Sequence, residues 1–278
     1  MRSLQKVQNT LLIAFLSVLS LFMALPFIWM FVTSFKAYDE VFVFPPQFIP
    51  AMFHWSNYAD VMKAAPFARY FGNSVSMTIL ITILQLLSSV LAAYAFARMS
   101  FKGRQTMFLI VLSTMMVPIY VTFIPNFLII KQIGIFNTYW ALIVPFCASA
   151  FGIFMMRQAF LQVPKELEEA ATLDGCNHMQ IIWHVMLPLS MSPILTFGLL
   201  SIIWHYNDFF WPLVITNSEE LRTLQVGLAS MISEEGGGKG TQWNLVMAAS
   251  SLIIFPLIIL FLMVQKHIVR GIATTGIK

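Results

Sequence analysis

Val163-Pro-Lys-Glu-Leu-Glu-Glu-Ala-Ala-Thr-Leu-Asp-Gly-Cys176 gathers Lys165, Glu166, Glu168, Glu169 and Asp174 into one short segment of a chain that is only 10% charged. Its local chemistry specifies a helix. Pro164 suits the first helical position, where a missing N–H costs nothing, and Glu166, Glu168 and Glu169 lie where the helix dipole favours anions. Gly175 can take the left-handed conformation that ends a helix. Segment 164–176 therefore reads as a helix of about ten residues, a length that is marginal alone in water, so something must pack against it. Leu167, Ala170, Ala171 and Asp174 fall at i, i+3, i+4 and i+7, a single face on which two alanines admit a partner backbone closely.

Outward from this segment the chain turns apolar. Residues 138–160 precede it and 187–215 follow it, and four more such runs occupy 10–35, 73–97, 107–130 and 243–265. A spanning helix needs about 20 mainly apolar residues to cross the hydrocarbon. Composition agrees: 278 residues at 59% hydrophobic and a mean hydropathy of +0.80 hold too few charges to cover a water-soluble globule. The two-residue alternation of a membrane barrel is absent from these runs. The expected fold is thus all-α, a polytopic membrane bundle of six transmembrane helices. The first run follows Arg2 and Lys6 but is too long for a signal peptide and lacks a small-residue cleavage site, so it reads as a retained helix.

Cations set the expected orientation, because short loops rich in Lys and Arg stay in the cytoplasm. With the N-terminus inside, Arg2, Lys6, Arg98, Lys102, Arg104, Arg157, Lys165, Lys266, Arg270 and Lys278 are cytoplasmic, ten of the sixteen. Both termini are then cytoplasmic, and the basic pI of about 9.1 follows from topology rather than from nucleic-acid binding. The organisation expected is a first helix with an external loop over 1–72, a five-helix core over 73–265 and a cytoplasmic tail over 266–278. Within the first loop, Phe44, Pro45, Pro46, Phe48 and Pro50 predict an extended strip, followed by an amphipathic interfacial piece. The loop at 216–242, acidic and holding Gly236, Gly237 and Gly238, reads as exposed and mobile. Lys239 does not make it a phosphate loop, since Gly240 stands where Ser or Thr is required. Pro26, Pro118, Pro125, Pro145, Pro188, Pro193, Pro212 and Pro256 fall within the spans and favour kinks. Cys147 and Cys176 belong to different levels of such a bundle, so no disulfide is expected.

Glu169-Ala-Ala171, three residues, Gly175, nine residues and then Val185-Met-Leu-Pro188 resembles the EAA signature of ABC importer permeases, with Val185 in place of the usual Ile. The resemblance implies a type I importer permease, in which this loop is the coupling helix that docks in a cleft of the ATPase subunit. On that reading Leu167, Glu169, Ala170, Ala171, Leu173, Asp174 and Gly175 form the ATPase-coupling site. Phe44-Pro-Pro46, Trp55-Ser-Asn-Tyr58, Asn207-Asp-Phe-Phe-Trp-Pro-Leu213 and the tail through Gly276-Ile-Lys278 look like the carbohydrate-uptake branch, specifically its maltose-type second permease. The family also implies a second permease, two ATPase subunits that hold ATP and Mg, an external solute-binding protein, and location in a bacterial inner membrane. No cofactor or catalytic role is implied for this chain itself.

Sugars are held by hydrogen bonds and by apolar contact with aromatic rings. Trp204, Tyr206, Asn207 and Asp208, beside His205, form the densest cluster of such groups, with Asn126 and Gln85 as further candidates. Two readings of the cluster stand: it lines the substrate pathway, or it anchors the helix at the membrane surface. The tail likewise either reaches the ATPase pair or acts as a positive-inside anchor. His178 and His184 lack partners at zinc spacing, and no Ser, His and Asp are arranged as a triad. The rival class is a secondary transporter of a small polar solute working without an ATPase; it would show internal repeats and intramembrane charges, and of these only Asp208 is a candidate. A membrane enzyme would need catalytic polar clusters at membrane depth, which the spans lack.

Overall fold

A computed structural model describes residues 2–234 and 241–275, and all regular elements among them are helical. Two compact units result, one of Met1–Ala68 with Gly227–Pro256 and one of Arg69–Val226 with Leu257–Lys278.

In the first unit, α1 (Arg2–Thr33) is a long apolar helix that contains Pro26, and α2 (Ser56–Ala64) is short. Between them, where the prolines predict an extended strip, runs an irregular segment of turns and bends, with Phe44, Phe48, Ile49 and Trp55 exposed. Phe35 anchors the strip's return through ring contacts with Phe53, Trp55 and Tyr58. Asn57 then ties the turn down, donating to the carbonyls of Ser34 at 2.8 Å and Lys36 at 2.9 Å. Lys36 is buried, its Nζ donating to the Gln47 carbonyl at 2.6 Å and lying 4.3 Å from the centre of the Trp29 ring. Burial pushes this ammonium below its ordinary pKa, with the carboxylate of Glu40 acting in the opposite sense.

The second unit is built on α3 (Phe67–Arg98), which starts six residues ahead of the apolar run at 73–97. Then come α4 (Arg104–Thr114), α5 (Ile119–Gln132), α6 (Tyr139–Ile143), α7 (Ala150–Gln162), α8 (Lys165–Leu173), α9 (His178–Ile181), α10 (Leu187–Leu189), α11 (Met191–Tyr206) and α12 (Phe210–Ile215). Two further helices, α13 (Leu224–Glu234) and α14 (Trp243–Thr275), have residues in both units. Local sequence sets several starts. Ser149 accepts from the Gly152 N–H at 3.1 Å to cap α7, and Asn177 with Gln180 forms a reciprocal capping box on α9.

Among the described residues, three helices are each long and apolar enough to cross a membrane: Gln8–Thr33, Phe67–Arg98 and Trp243–Gln265. Three more candidates are broken pairs, bent by 98° between α4 and α5, by 42° before α7 and by 86° between α10 and α11. Pro118, Pro145 and Pro188 stand at or beside these breaks, where each removes a backbone donor. Pro26, Pro125 and Pro256 instead lie inside continuous helices. Run 187–215 is accordingly not one helix. It begins early, at His178, passes through a π-turn at Ile182–Met186, bends after Leu189 and breaks again at 207–209.

The described part of segment 216–242 is exposed only in part: Asn217, Glu219 and Glu220 are exposed, whereas Thr216, Leu221 and Leu224 are buried. Asn137, at φ 57°, accepts from the N–H groups of Asn217 and Ser218 through its side chain. Asn73 donates to the carbonyls of Glu220 and Arg222, and Ser74 accepts from the Leu224 N–H at 2.8 Å. The acidic residues drew attention away from Leu224, Val226 and Met231, which are buried on α13. Gly236, Gly237, Gly238 and Lys239 lie outside the described residues, as do the last three of the tail. The remainder of that tail continues the helix α14 to Thr275.

Candidate functional site

At one end of the second unit, α8 is nine residues long, and none of its residues is buried. Pro164 is its N-cap rather than its first helical residue, in extended backbone that delivers Lys165 into the first turn. The C-terminus is a full Schellman closure: the N–H of Cys176 bonds the Ala171 carbonyl at 3.0 Å and that of Gly175 bonds the Thr172 carbonyl at 3.0 Å. Gly175 sits at φ +85°, the left-handed conformation its sequence position predicts. Both ends of α8 are therefore sharp.

The face of α8 differs from the one read by periodicity. Ala171 packs against the core built by Tyr94, Met156, Phe160, Ile181, Ile182 and Phe197, so it is turned to its own bundle. Leu167 at 44% exposure and Leu173 at 89% face outward, with Glu169, Ala170, Asp174 and Gly175 also exposed. Glu168, not among the residues picked from the sequence, turns inward beside Ala171. Its carboxylate accepts from the Tyr94 hydroxyl at 2.8 Å and lies 3.5 Å from Arg98 Nε. Positions 168 and 171 are i and i+3 and so share one side of the helix, but spacing does not say that this side meets the bundle.

A second constellation surrounds the break between α11 and α12. A cavity of about 460 Å³ is walled by α5, Phe146 and the turn after α11. Trp204, Asn207, Asp208 and Asn126 all line it, together with Tyr120, Phe123 and Phe210. Asp208 also accepts from the Trp211 N–H at 3.4 Å, which starts α12. Tyr206 and Gln85 are not brought here. Tyr206 is buried, and Gln85 belongs to an interior polar chain in which Ser201 donates to its Oε1 at 2.8 Å and its amide nitrogen lies 3.1 Å from His205 Nε2. Thr82, 3.1 Å from Ser201, completes that chain. The sequence did not reveal it, because the i, i+3 spacing of Thr82 and Gln85 on α3 becomes meaningful only once α11 lies alongside. Cys147 and Cys176 are both free thiols.

The family of binding-protein-dependent transport system inner membrane components matches residues 85–274, which contain α8, the cavity and all of the interior polar chain except Thr82. The chain belongs to this family of permeases. It is 35% identical to the probable ABC transporter permease protein YurM of Bacillus subtilis (strain 168), over 92% of this permease and 84% of that one. It is 34% identical to the arabinooligosaccharides transport system permease protein AraQ of Halalkalibacterium halodurans, over 83% and 82% of the two chains. A chain of a bacterial ABC transporter involved in import of the acidic polysaccharide alginate shares its fold, with a TM-score of 0.84, 28% identity and coverage of 94% of this permease and 96% of that chain.

Proposed function

We propose that this permease forms half of the translocation pathway of an ATP-driven importer for a sugar or oligosaccharide, with α8 as the helix through which ATPase subunits drive it. The observation that carries the reading is the exposure of Leu173 and Leu167 on a helix whose other side is fixed to the bundle. An apolar pair presented this way fits the cleft of a partner subunit. With each bent pair counted as one span there are six, and both termini and α8 are then cytoplasmic, a reading supported by the ten of sixteen Lys and Arg that fall on that side. A second, different permease completes the pathway, two ATPase subunits bind ATP with Mg, and an external binding protein delivers the solute. The chain itself is non-catalytic.

In this mechanism ATP draws the ATPase subunits together, α8 follows, and the bundle passes between inward-facing and outward-facing states. ATP can shift that equilibrium only by its differential affinity for the two states, and near-complete inversion asks for about 5.5 kcal/mol. The cavity at Trp204 and Asn207 is the solute's passage. Its wall has a carboxylate and neither ammonium nor guanidinium, which suits an uncharged sugar with apolar faces against Trp204 and Phe123.

Gly175 tests the drive. No atom lies within 4 Å of where its Cβ would be, so conformation and not size limits substitution there. Gly175→Val forces a β-branched residue into left-handed backbone at a cost of roughly 1–2 kcal/mol or more, whereas Gly175→Asn is tolerated. Uptake and binding-protein-stimulated ATP hydrolysis should fall by about tenfold in the valine variant, following that strain, and stay near normal with asparagine. Full activity of both variants rules out the coupling role of α8.

Trp204 tests the passage. Trp204→Leu keeps an apolar side chain at the membrane surface but removes the ring on which a sugar would stack. Uptake of a neutral oligosaccharide should drop by roughly threefold to tenfold, the equivalent of one lost aromatic contact, with assembly of the complex unchanged. Undiminished uptake assigns Trp204 to surface anchoring instead.

A further inference from the structure

The side chains of α8 make one polar tie to the rest of the chain among the described residues, and Glu168 makes it. Its two oxygens reach two residues one turn apart near the end of α3. Tyr94, 2% exposed, donates its hydroxyl proton to Oε1 at 2.8 Å. Arg98 lies 3.5 Å from Oε2, with the two side chains 5% and 19% exposed.

The same arginine closes a second link. Its Nη2 donates to the Phe160 carbonyl at 2.6 Å, which also accepts from the Val163 N–H, and to the Val163 carbonyl just past the end of α7. Tyr94 closes a third, its oxygen lying 3.0 Å from His178 Nδ1 in the first turn of α9. A phenol has one proton, and here it is given to Glu168. His178 Nδ1 must therefore carry a proton and act as donor, which fixes its tautomer or its charge. One carboxylate, one guanidinium and one phenol thus join α3 to the end of α7, to α8 and to the start of α9.

We infer that Glu168, Arg98 and Tyr94 are positioning residues that make α8 move with α3, so that a displacement imposed on α8 reaches the interior of the bundle. The inference rests on the coupling role of α8 proposed above. Without this clasp, α8 lies between the extended joint at Val163–Pro164 and the left-handed joint at Gly175, with Ala171 packed against the core and no polar side-chain tie among the described residues. With it, pushing α8 pulls on a 32-residue helix that also carries Gln85 and Thr82, the α3 members of the polar chain leading to His205. His205 in turn contacts Phe146, in the cavity wall, with ring centres 5.1 Å apart.

Hydrogen–deuterium exchange on the complete transporter in nanodiscs, with and without Mg and a non-hydrolysable ATP analogue, tests the clasp. In the wild type, nucleotide should change exchange both in α8 and around Tyr94–Arg98. In Glu168→Ala the α8 response should persist, while the response of α3 falls by at least about fivefold, the lower end of ordinary coupling between sites. A role confined to stability would raise exchange without nucleotide and leave the ratio of the two responses unchanged, and that result overturns the inference. Should Glu168→Ala fail to assemble, Tyr94→Phe removes a single hydroxyl and is judged by the same ratio. Absence of any nucleotide response in α8 of the wild type instead defeats the coupling role itself, and the clasp with it.

Discussion

Leu173→Lys should leave the permease folded and strip it of its ATPase subunits. At 89% exposure Leu173 contributes almost nothing to the bundle's own stability, and a cation in the last turn of α8 is favoured by the helix dipole. The helix is therefore preserved and only its outer face changes. If that face fills a cleft in the ATPase, burial of the leucine contributes about 1.5–3 kcal/mol, and replacing it with a charge adds a desolvation penalty of similar size. Association should weaken by at least about 100-fold on that arithmetic. Titrating purified ATPase subunits onto nanodisc-embedded permease measures it. Unchanged affinity would mean that α8 does not dock through this residue, and the drive mechanism would have to be sought elsewhere.

Gly152→Val should be the most damaging single change inside the bundle. A Cβ at Gly152 would stand 2.4 Å from Ser89 Oγ and 2.5 Å from the tip of the Phe197 ring, so even alanine overfills the site where α7 meets α3 and α11. Ser89 and Phe197 are both buried and have no solvent to retreat into. Overpacking of this kind costs about 1–3 kcal/mol for one methyl group, and valine adds two more against the same walls. Small residues let membrane helices approach closely, and Gly152 is where this chain uses that freedom. Thermal unfolding in detergent should show a marked fall for valine and a smaller one for alanine, with Phe197→Leu partly restoring the alanine variant. Gly198→Ala is the internal control: its Cβ would meet Leu86 at 3.6 Å, an ordinary contact, and stability should change little. Equal behaviour at the two glycines would refute the close approach at 152.

The helix at Lys165–Leu173 is legible from its residues because its instructions are local. Charges in the first turn, a proline before it and a glycine after it specify where α8 starts and stops without reference to the rest of the chain. The outward face was read less well. Periodicity grouped Ala171 with Leu167 and Asp174, but it cannot say which side of a short helix meets its own core. Glu168 was passed over for the same reason, since its partners Tyr94 and Arg98 lie 74 and 70 positions away. At the cavity, Trp204, Asn207 and Asp208 were found because they crowd together along the chain. Asn126 joins them there, whereas Tyr206 and Gln85 point to the interior.

The sequence by itself determined that the chain is an all-helical membrane protein of the importer-permease kind, where its apolar runs lie, and that a charged helix of about ten residues interrupts them. Those features are encoded by solvent preference and by residues within a turn or two of each other. Tertiary structure decided where the spans break, which loop folds back as α13, which side of α8 is bonded to the bundle and which polar groups meet inside it. Each of these depends on burial against segments remote in sequence, where a hydrogen bond or a packed ring gains its energy only after the helices have come together.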